Sequence, residues 1–209
     1  SHMEVLSYNL LKKLKNYNFI SINRTGCIYL PNVKKLRPNN QKEFDTCTVS
    51  SKNKIDEYIK NKKNSIIIIG GRFHQHFDKG ETKWNYKSVN NKTIKENFKS
   101  SINNILRENK VILIYPIPSV NFDITKRIMN EVPKNIFNAH EYLTLNPFTT
   151  DYNDYIKENK NIIEFLDSIN HKNLSKIYPD KIFCDKEIKK KCFTHDGKNV
   201  YYSDTSHLS

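Results

Sequence analysis

The chain closes on Tyr201-Tyr202-Ser203-Asp204-Thr205-Ser206-His207-Leu208-Ser209. An aspartate three residues ahead of a histidine, in a short polar stretch, brings carboxylate and imidazole to the same side of a tight turn. The carboxylate accepts the ring N–H, orients the imidazole and steadies its protonated form. A base held in this way takes the proton of a serine hydroxyl, which is a poor nucleophile near neutral pH on its own. A serine stands at the other end of the chain. Ser1 heads an amphipathic pattern in which Val5, Leu6, Leu10, Leu11 and Leu14 share one helical face. The N–H groups at the start of such a helix offer a positive end to a developing oxyanion. Ser1, Asp204 and His207, in the chain order Ser, Asp, His, are the candidate nucleophile, orienting acid and base. The plainer alternative for Asp204 and His207 is a surface pair with no chemistry.

The elements that must bring these ends together alternate between helix and strand. After the first helix, Phe19–Ile22 reads as a short strand and residues 24–49 as a polar, proline-bearing loop. Ile55, Tyr58 and Ile59 mark a second helix. Ile66–Ile69 reads as a fully buried strand ended by Gly70-Gly71. Thr93 and Glu96 have capping-box spacing, and Ile94, Phe98, Ile102, Ile105 and Leu106 form the stripe of the helix they open. Val111–Tyr115 is a second buried strand, stopped by Pro116 and Pro118. Residues 123–130 and 151–169 read as helices, Leu174–Tyr178 as a late strand and 183–203 as an irregular hairpin. β-Branched strands separated by helices predict an α/β fold, a three-layer sandwich with a mainly parallel sheet. Ligands of such sheets sit at the carboxyl ends of the strands, here Asn23, Gly70-Gly71-Arg72 and Pro116-Ile117-Pro118.

A chain of 209 residues is the length of one domain. Its 35 Lys and Arg against 22 Asp and Glu give a net charge of +13. That balance suits nucleic acid, an anionic glycan or a membrane surface. The lysines are scattered, and the densest run, Lys186–Lys191, reads as a solvated face, so nucleic acid is not the expected partner. No apolar run reaches the roughly 20 residues of a membrane span. The four cysteines lack the C-x-x-C spacing of zinc and redox sites. They fall into two local pairs, Cys27 with Cys47 and Cys184 with Cys192, which suit disulfides in an oxidising compartment. Four separate thiols are the alternative. His74 and His76 flank Gln75 without a third ligand nearby and read as loop polar residues, as does His140-Glu141. No metal and no cofactor is expected. Trp84 and Tyr86 suit either a sugar face or loop packing, and Asp123 reads as a helix N-cap.

A sheet of this kind that opens on a helix lacks its first strand, and the nucleophile belongs in the turn between that strand and the helix. The chain therefore reads as a single domain, 1–209, truncated at its N-terminus and possibly at its C-terminus, with Ser1 native. Ser1-His2-Met3 also reads as a cloning remnant. Three further segments bear on the choice. These are Ile66–Phe73 ending in Gly70-Gly71-Arg72-Phe73, Val111–Ser119 with Tyr115-Pro116-Ile117-Pro118, and Cys184–Ser209 with Cys192, Gly197, Tyr201-Tyr202, Asp204 and His207-Leu208-Ser209. Together with Ser1-His2 they make the chain resemble the SGNH-hydrolase domain fused to membrane acyltransferases of family 3. The resemblance spans nearly the whole length, with variable loops at 74–90 and 134–150.

What the resemblance implies is an SGNH-hydrolase/flavodoxin-like fold and an acyl-serine intermediate. It also implies transfer of an acyl group, usually acetyl, to hydroxyls of cell-surface glycans such as lipopolysaccharide. The acyl donor would come from a fused or adjacent membrane acyltransferase domain, with the site on the periplasmic, extracytoplasmic side. The Gly-Asp that precedes the family's serine is absent here, and no Gly-x-Asn block supplies the usual oxyanion donor. Gly71 and Arg72, by backbone N–H or guanidinium, are the substitutes expected for it. A carbohydrate esterase of the same fold, a non-catalytic glycan-binding relative and a basic nucleic-acid-binding domain are the alternatives the residues leave open.

Overall fold

The structure is a computed structural model that describes residues 13, 16–22, 26–77, 85–205 and 208. The expected first helix and the nucleophile position at Ser1 lie outside the described residues. Two compact units divide the chain: Ile22–Pro116 with Asn159–Ile177, and Ser1–Ser21 with Ile117–Glu158 and Tyr178–Ser209.

The first of these holds a parallel sheet. Its strands β2 (Ile66–Gly70), β4 (Lys110–Ile114) and β6 (Leu174–Ile177) lie in the order β2-β4-β6. Ile67 is opposite Val111 and Ile69 opposite Leu113, while Val111 is opposite Leu174 and Leu113 opposite Lys176. β4 is therefore paired on both edges, and Val111 and Leu113 are fully buried. The β2 isoleucines fare differently. Ile69 is buried, but Ile66 is 49% exposed. Four successive isoleucines announce a fully buried strand, yet among the described strands β2 is at an edge, and its start is open to solvent.

Among the described residues this unit holds the helices α1 (Val49–Lys60), α2 (His74–Phe77) and α3 (Ile94–Leu106), besides the C-terminal part of a later one. Thr48 caps α1 by accepting the Ser51 N–H. The expected capping box on α3 is complete, because Thr93 Oγ1 accepts the Glu96 N–H while the Glu96 carboxylate accepts the Thr93 N–H. Phe98, Ile102, Ile105 and Leu106 are fully buried on that helix. Phe98 meets Phe73 and Phe77 with ring centroids 5.8 and 5.3 Å away, and Phe77 meets Phe165 at 5.5 Å. Edge-on contacts of this kind add to the burial of the rings themselves.

Two further expectations fail. Phe19–Ile22 is not a strand. The supposed loop at 24–49 contains β1 (Val33–Leu36), antiparallel to β3 (Asn85–Ser88), and a short 3₁₀ turn at Asp45–Cys47. The pattern is hidden because Lys35 takes an inward position, 2% exposed, where alternation calls for an apolar residue. Its ammonium donates to the Gly26 carbonyl at 2.5 Å and lies 4.8 Å from the Phe44 ring centroid. Cys27 and Cys47 form the first of the two expected disulfides.

In the second unit, α4 (Ile124–Glu131) and α5 (Ile136–Leu145) precede β5 (Thr149–Asp151), which pairs antiparallel with β7 (Lys191–Phe193). A short helix, α7 (Asp180–Phe183), leads to the second disulfide, Cys184–Cys192. That bond closes the lysine-rich turn, where Lys189 and Lys191 meet Asp185 and Asp151 at 3.5 and 3.3 Å. The variable loops at 74–90 and 134–150 thus carry α2, β3, α5 and β5. The unit boundary falls inside helix α6 (Tyr152–Asp167), between Glu158 and Asn159. Among the described residues no helix is long and apolar enough to cross a membrane.

Phe98 joins helix α3 to the aromatic cluster, so Phe98→Ala should destabilise the protein by about 3–5 kcal/mol. Urea unfolding followed by far-UV circular dichroism measures this, and a loss below about 1 kcal/mol would mean the cluster does not hold α3 in place.

Candidate active site

Gly70 ends β2, and the chain then turns sharply. The Phe73 N–H donates to the Gly71 carbonyl at 3.0 Å and the Gln75 N–H to the Arg72 carbonyl at 3.2 Å. Gly71 has φ +158°, a conformation side-chain-bearing residues rarely adopt, and a Cβ there would come within 3.4 Å of Ile28. Phe73, fully buried in the aromatic cluster, anchors the turn from the inside. Gly71 and Arg72 therefore occupy the carboxyl end of β2, as the alternating pattern predicts.

His76 follows on α2, and its Nδ1 is hydrogen-bonded to the Tyr86 hydroxyl. Burial, reinforced by the charges of Lys35, His74, Lys52 and Arg72, drives the His76 pKa down to about 3. His74 is buried beside it. Lys52 is 2% exposed and its ammonium donates to the Val33 carbonyl. Burial lowers its pKa to about 8, the Glu43 carboxylate opposing and Lys35 adding to the shift. His76 is thus a neutral imidazole among cations, bonded to a phenol. Among the described residues no three His, Cys, Asp or Glu side chains gather to hold a metal.

In the other unit, Asp204 is half-buried and sits in a bend between Tyr202 and Leu208, which form an antiparallel bridge. The Tyr202 hydroxyl donates to the Pro118 carbonyl at 2.8 Å. The Val120 N–H donates to the Thr205 carbonyl at 2.8 Å, and Thr125 Oγ1 to the Ser203 carbonyl at 3.0 Å. Phe183 meets both Tyr201 and Tyr202, at 5.4 and 6.1 Å between ring centroids. Ser1 and His207 lie outside the described residues, so of the expected triad only the acid is placed.

Asp123 caps α4, its Oδ1 accepting the Lys126 N–H at 3.0 Å. His140 and Glu141 are exposed on α5. Trp84 lies outside the described residues, and Tyr86 is engaged with His76. Sequence reasoning passed over His195, which is 2% exposed. The N–H groups of Phe148 and Gly197 point at its Nε2 and Nδ1 from 2.9 and 3.1 Å. Burial lowers its pKa, the Asp196 carboxylate opposing the shift. Thr125 and the Pro118 carbonyl were missed as partners of the closing segment. Pro118 stood out only as a strand stop, and an exposed threonine gives no periodic signal.

A parallel sheet flanked by helices, with its strand ends turning through Gly70-Gly71 and Tyr115-Pro116, defines an α/β protein of the SGNH-hydrolase/flavodoxin-like class. A family model described as "SGNH domain (fused to AT3 domains)" matches residues 1–209, and the chain belongs to that family. Among solved structures it is similar to the periplasmic domain of the lipopolysaccharide acetyltransferase of Salmonella ser. Paratyphi A. The TM-score is 0.55 and the identity 16%, over 97% of this chain and 70% of that one. A comparison with curated protein sequences found no match.

The depressed pKa of His76 has a consequence for stability. As pH falls below about 6.5 the unfolded chain takes up a proton that the folded chain refuses until about pH 3. The contribution is complete above pH 6.5 and is lost on acidification through that window, by about 1.4 kcal/mol per pH unit at most. Urea unfolding between pH 7 and pH 4 should show this decline, and His76→Gln should flatten it. An unchanged slope in the variant would exclude His76 as its source.

Proposed function

We propose that the protein transfers an acyl group, acetyl in the simplest case, to hydroxyls of cell-surface glycans through Ser1, His207 and Asp204. His207 removes the Ser1 proton as the oxygen attacks the donor's carbonyl carbon. The tetrahedral oxyanion is received by the Gly71 N–H or the Arg72 guanidinium. The imidazolium then gives its proton to the departing donor group, which leaves an acyl-serine. A glycan hydroxyl attacks that ester, His207 takes its proton, and the returning serine oxygen recovers it. Asp204 holds the ring and stabilises its charge throughout.

The observation that carries this reading is membership, along the entire chain, of a family defined by an SGNH domain fused to acyltransferase domains. The resemblance to a lipopolysaccharide acetyltransferase domain supports a glycan acceptor. The acyl donor is then presented by a fused or adjacent membrane acyltransferase domain, and the chain works in the periplasm. Two formed disulfides support an oxidising compartment. The net charge of +13 favours an anionic acceptor.

A fluorophosphonate that reacts with activated serines should label the protein in full-length form, and Ser1→Ala should abolish the labelling. Asp204→Asn should slow it by about 10³–10⁴-fold, since the neutral amide no longer fixes the imidazole tautomer. Labelling that persists in Ser1→Ala would remove Ser1 from the mechanism.

A further inference from the structure

We propose that Thr125 and Tyr202 are positioning residues for Asp204, clamping the turn that carries its carboxylate to the segment Pro118–Thr125. The inference rests on the reading of Asp204 as the orienting acid. Its support is a set of hydrogen bonds that converge on one short stretch from about eighty residues away in the chain.

Tyr202 is 2% exposed, within a cluster of Val120, Ile124, Leu143 and Phe148. A phenylalanine would serve that packing equally well. The hydroxyl is the added feature, and it donates to the Pro118 carbonyl at 2.8 Å. Burial raises its pKa, so it stays a neutral donor at any working pH. Thr125 stands on the first turn of α4, which Asp123 already caps. It is exposed and has no core to fill. Its hydroxyl nevertheless reaches the Ser203 carbonyl at 3.0 Å, a residue 78 positions further on. The Val120 N–H completes the set on the Thr205 carbonyl at 2.8 Å.

These contacts bracket Asp204. One fixes the peptide that enters it, another the carbonyl of the residue that follows, and the third anchors the residue before Ser203. With both flanks held, the direction of the aspartate Cα–Cβ bond is restrained. An acid that orients an imidazole needs this, because misplacement by about 1 Å costs as much as 10²-fold in rate. Because Thr125 is exposed, removing its hydroxyl leaves the core intact, which separates positioning from folding.

The test follows the His207 imidazole by ¹H–¹³C NMR titration in the full chain and in the variants Asp204→Asn, Thr125→Val, Thr125→Ser and Tyr202→Phe. Thermal unfolding is recorded for each. A carboxylate aligned on the ring raises its pKa, so Asp204→Asn should lower the His207 value by about one unit or more. Thr125→Val should lower it by about half a unit with an unchanged melting temperature, Tyr202→Phe should lower it too, and Thr125→Ser should keep the starting value. If Asp204→Asn lowers the pKa while Thr125→Val leaves it unmoved, the positioning role is overturned. If Thr125→Ser lowers it as much as Thr125→Val, the hydroxyl is not the cause and the inference fails as well. If Asp204→Asn itself has no effect, the underlying reading of Asp204 is what fails.

Discussion

The parallel pairing of Lys110–Ile114 with strands on both of its edges is the constraint on which the sheet depends. A strand so placed satisfies its backbone groups within the sheet and sends its side chains to two faces. Val111 and Leu113 on one face are fully buried, and Ile112 and Ile114 on the other are half-buried. The ladder continues past the strand, where the Tyr115 N–H donates to the Ile177 carbonyl at 2.9 Å. The Tyr115 hydroxyl then meets Asp167 at 2.6 Å. Pro116 ends the ladder because it has no N–H to give. The carboxyl end of the sheet is fixed by this stop as much as by the strand itself.

Away from the sheet, buried polar groups organise what apolar patterning leaves loose. Lys35 and Lys52 lay their stems through the unit's interior and spend their ammonium groups on the carbonyls of Gly26 and Val33. The Tyr29 hydroxyl and Lys60 both engage Asp56. Asn97 donates to Ser88 at 3.1 Å and to Asn90 at 3.0 Å, tying α3 to the end of β3. Buried polar groups are costly unless paired, so each of these contacts specifies one geometry. A chain this rich in lysine and asparagine builds part of its interior from backbone carbonyls and amide side chains.

The strongly patterned elements were legible from residue order. The α3 stripe, its capping box, the Val111–Tyr115 strand, the Asp123 cap and both cysteine pairs follow from local rules. The hairpin partners β1 and β3 were not, since a lysine at the inward position of Val33–Leu36 erases the alternation. The burial of Ile66–Ile69 was overestimated because strand order, which exposes an edge, is invisible in four identical residues. Asp204 stood out by its spacing from a histidine, and the Gly71–Arg72 turn as a strand end, while Thr125 did not. Its contact spans 78 residues and leaves no periodic mark.

Sequence by itself determined the class of fold and pointed to the two cysteine pairs, because these rest on spacing, composition and side-chain type. Tertiary structure decided how the Asp204 turn is held, which histidines are buried and which of the described strands lies between two others. Those are outcomes of hydrogen bonds and burial between segments far apart in the chain, and no local pattern encodes them.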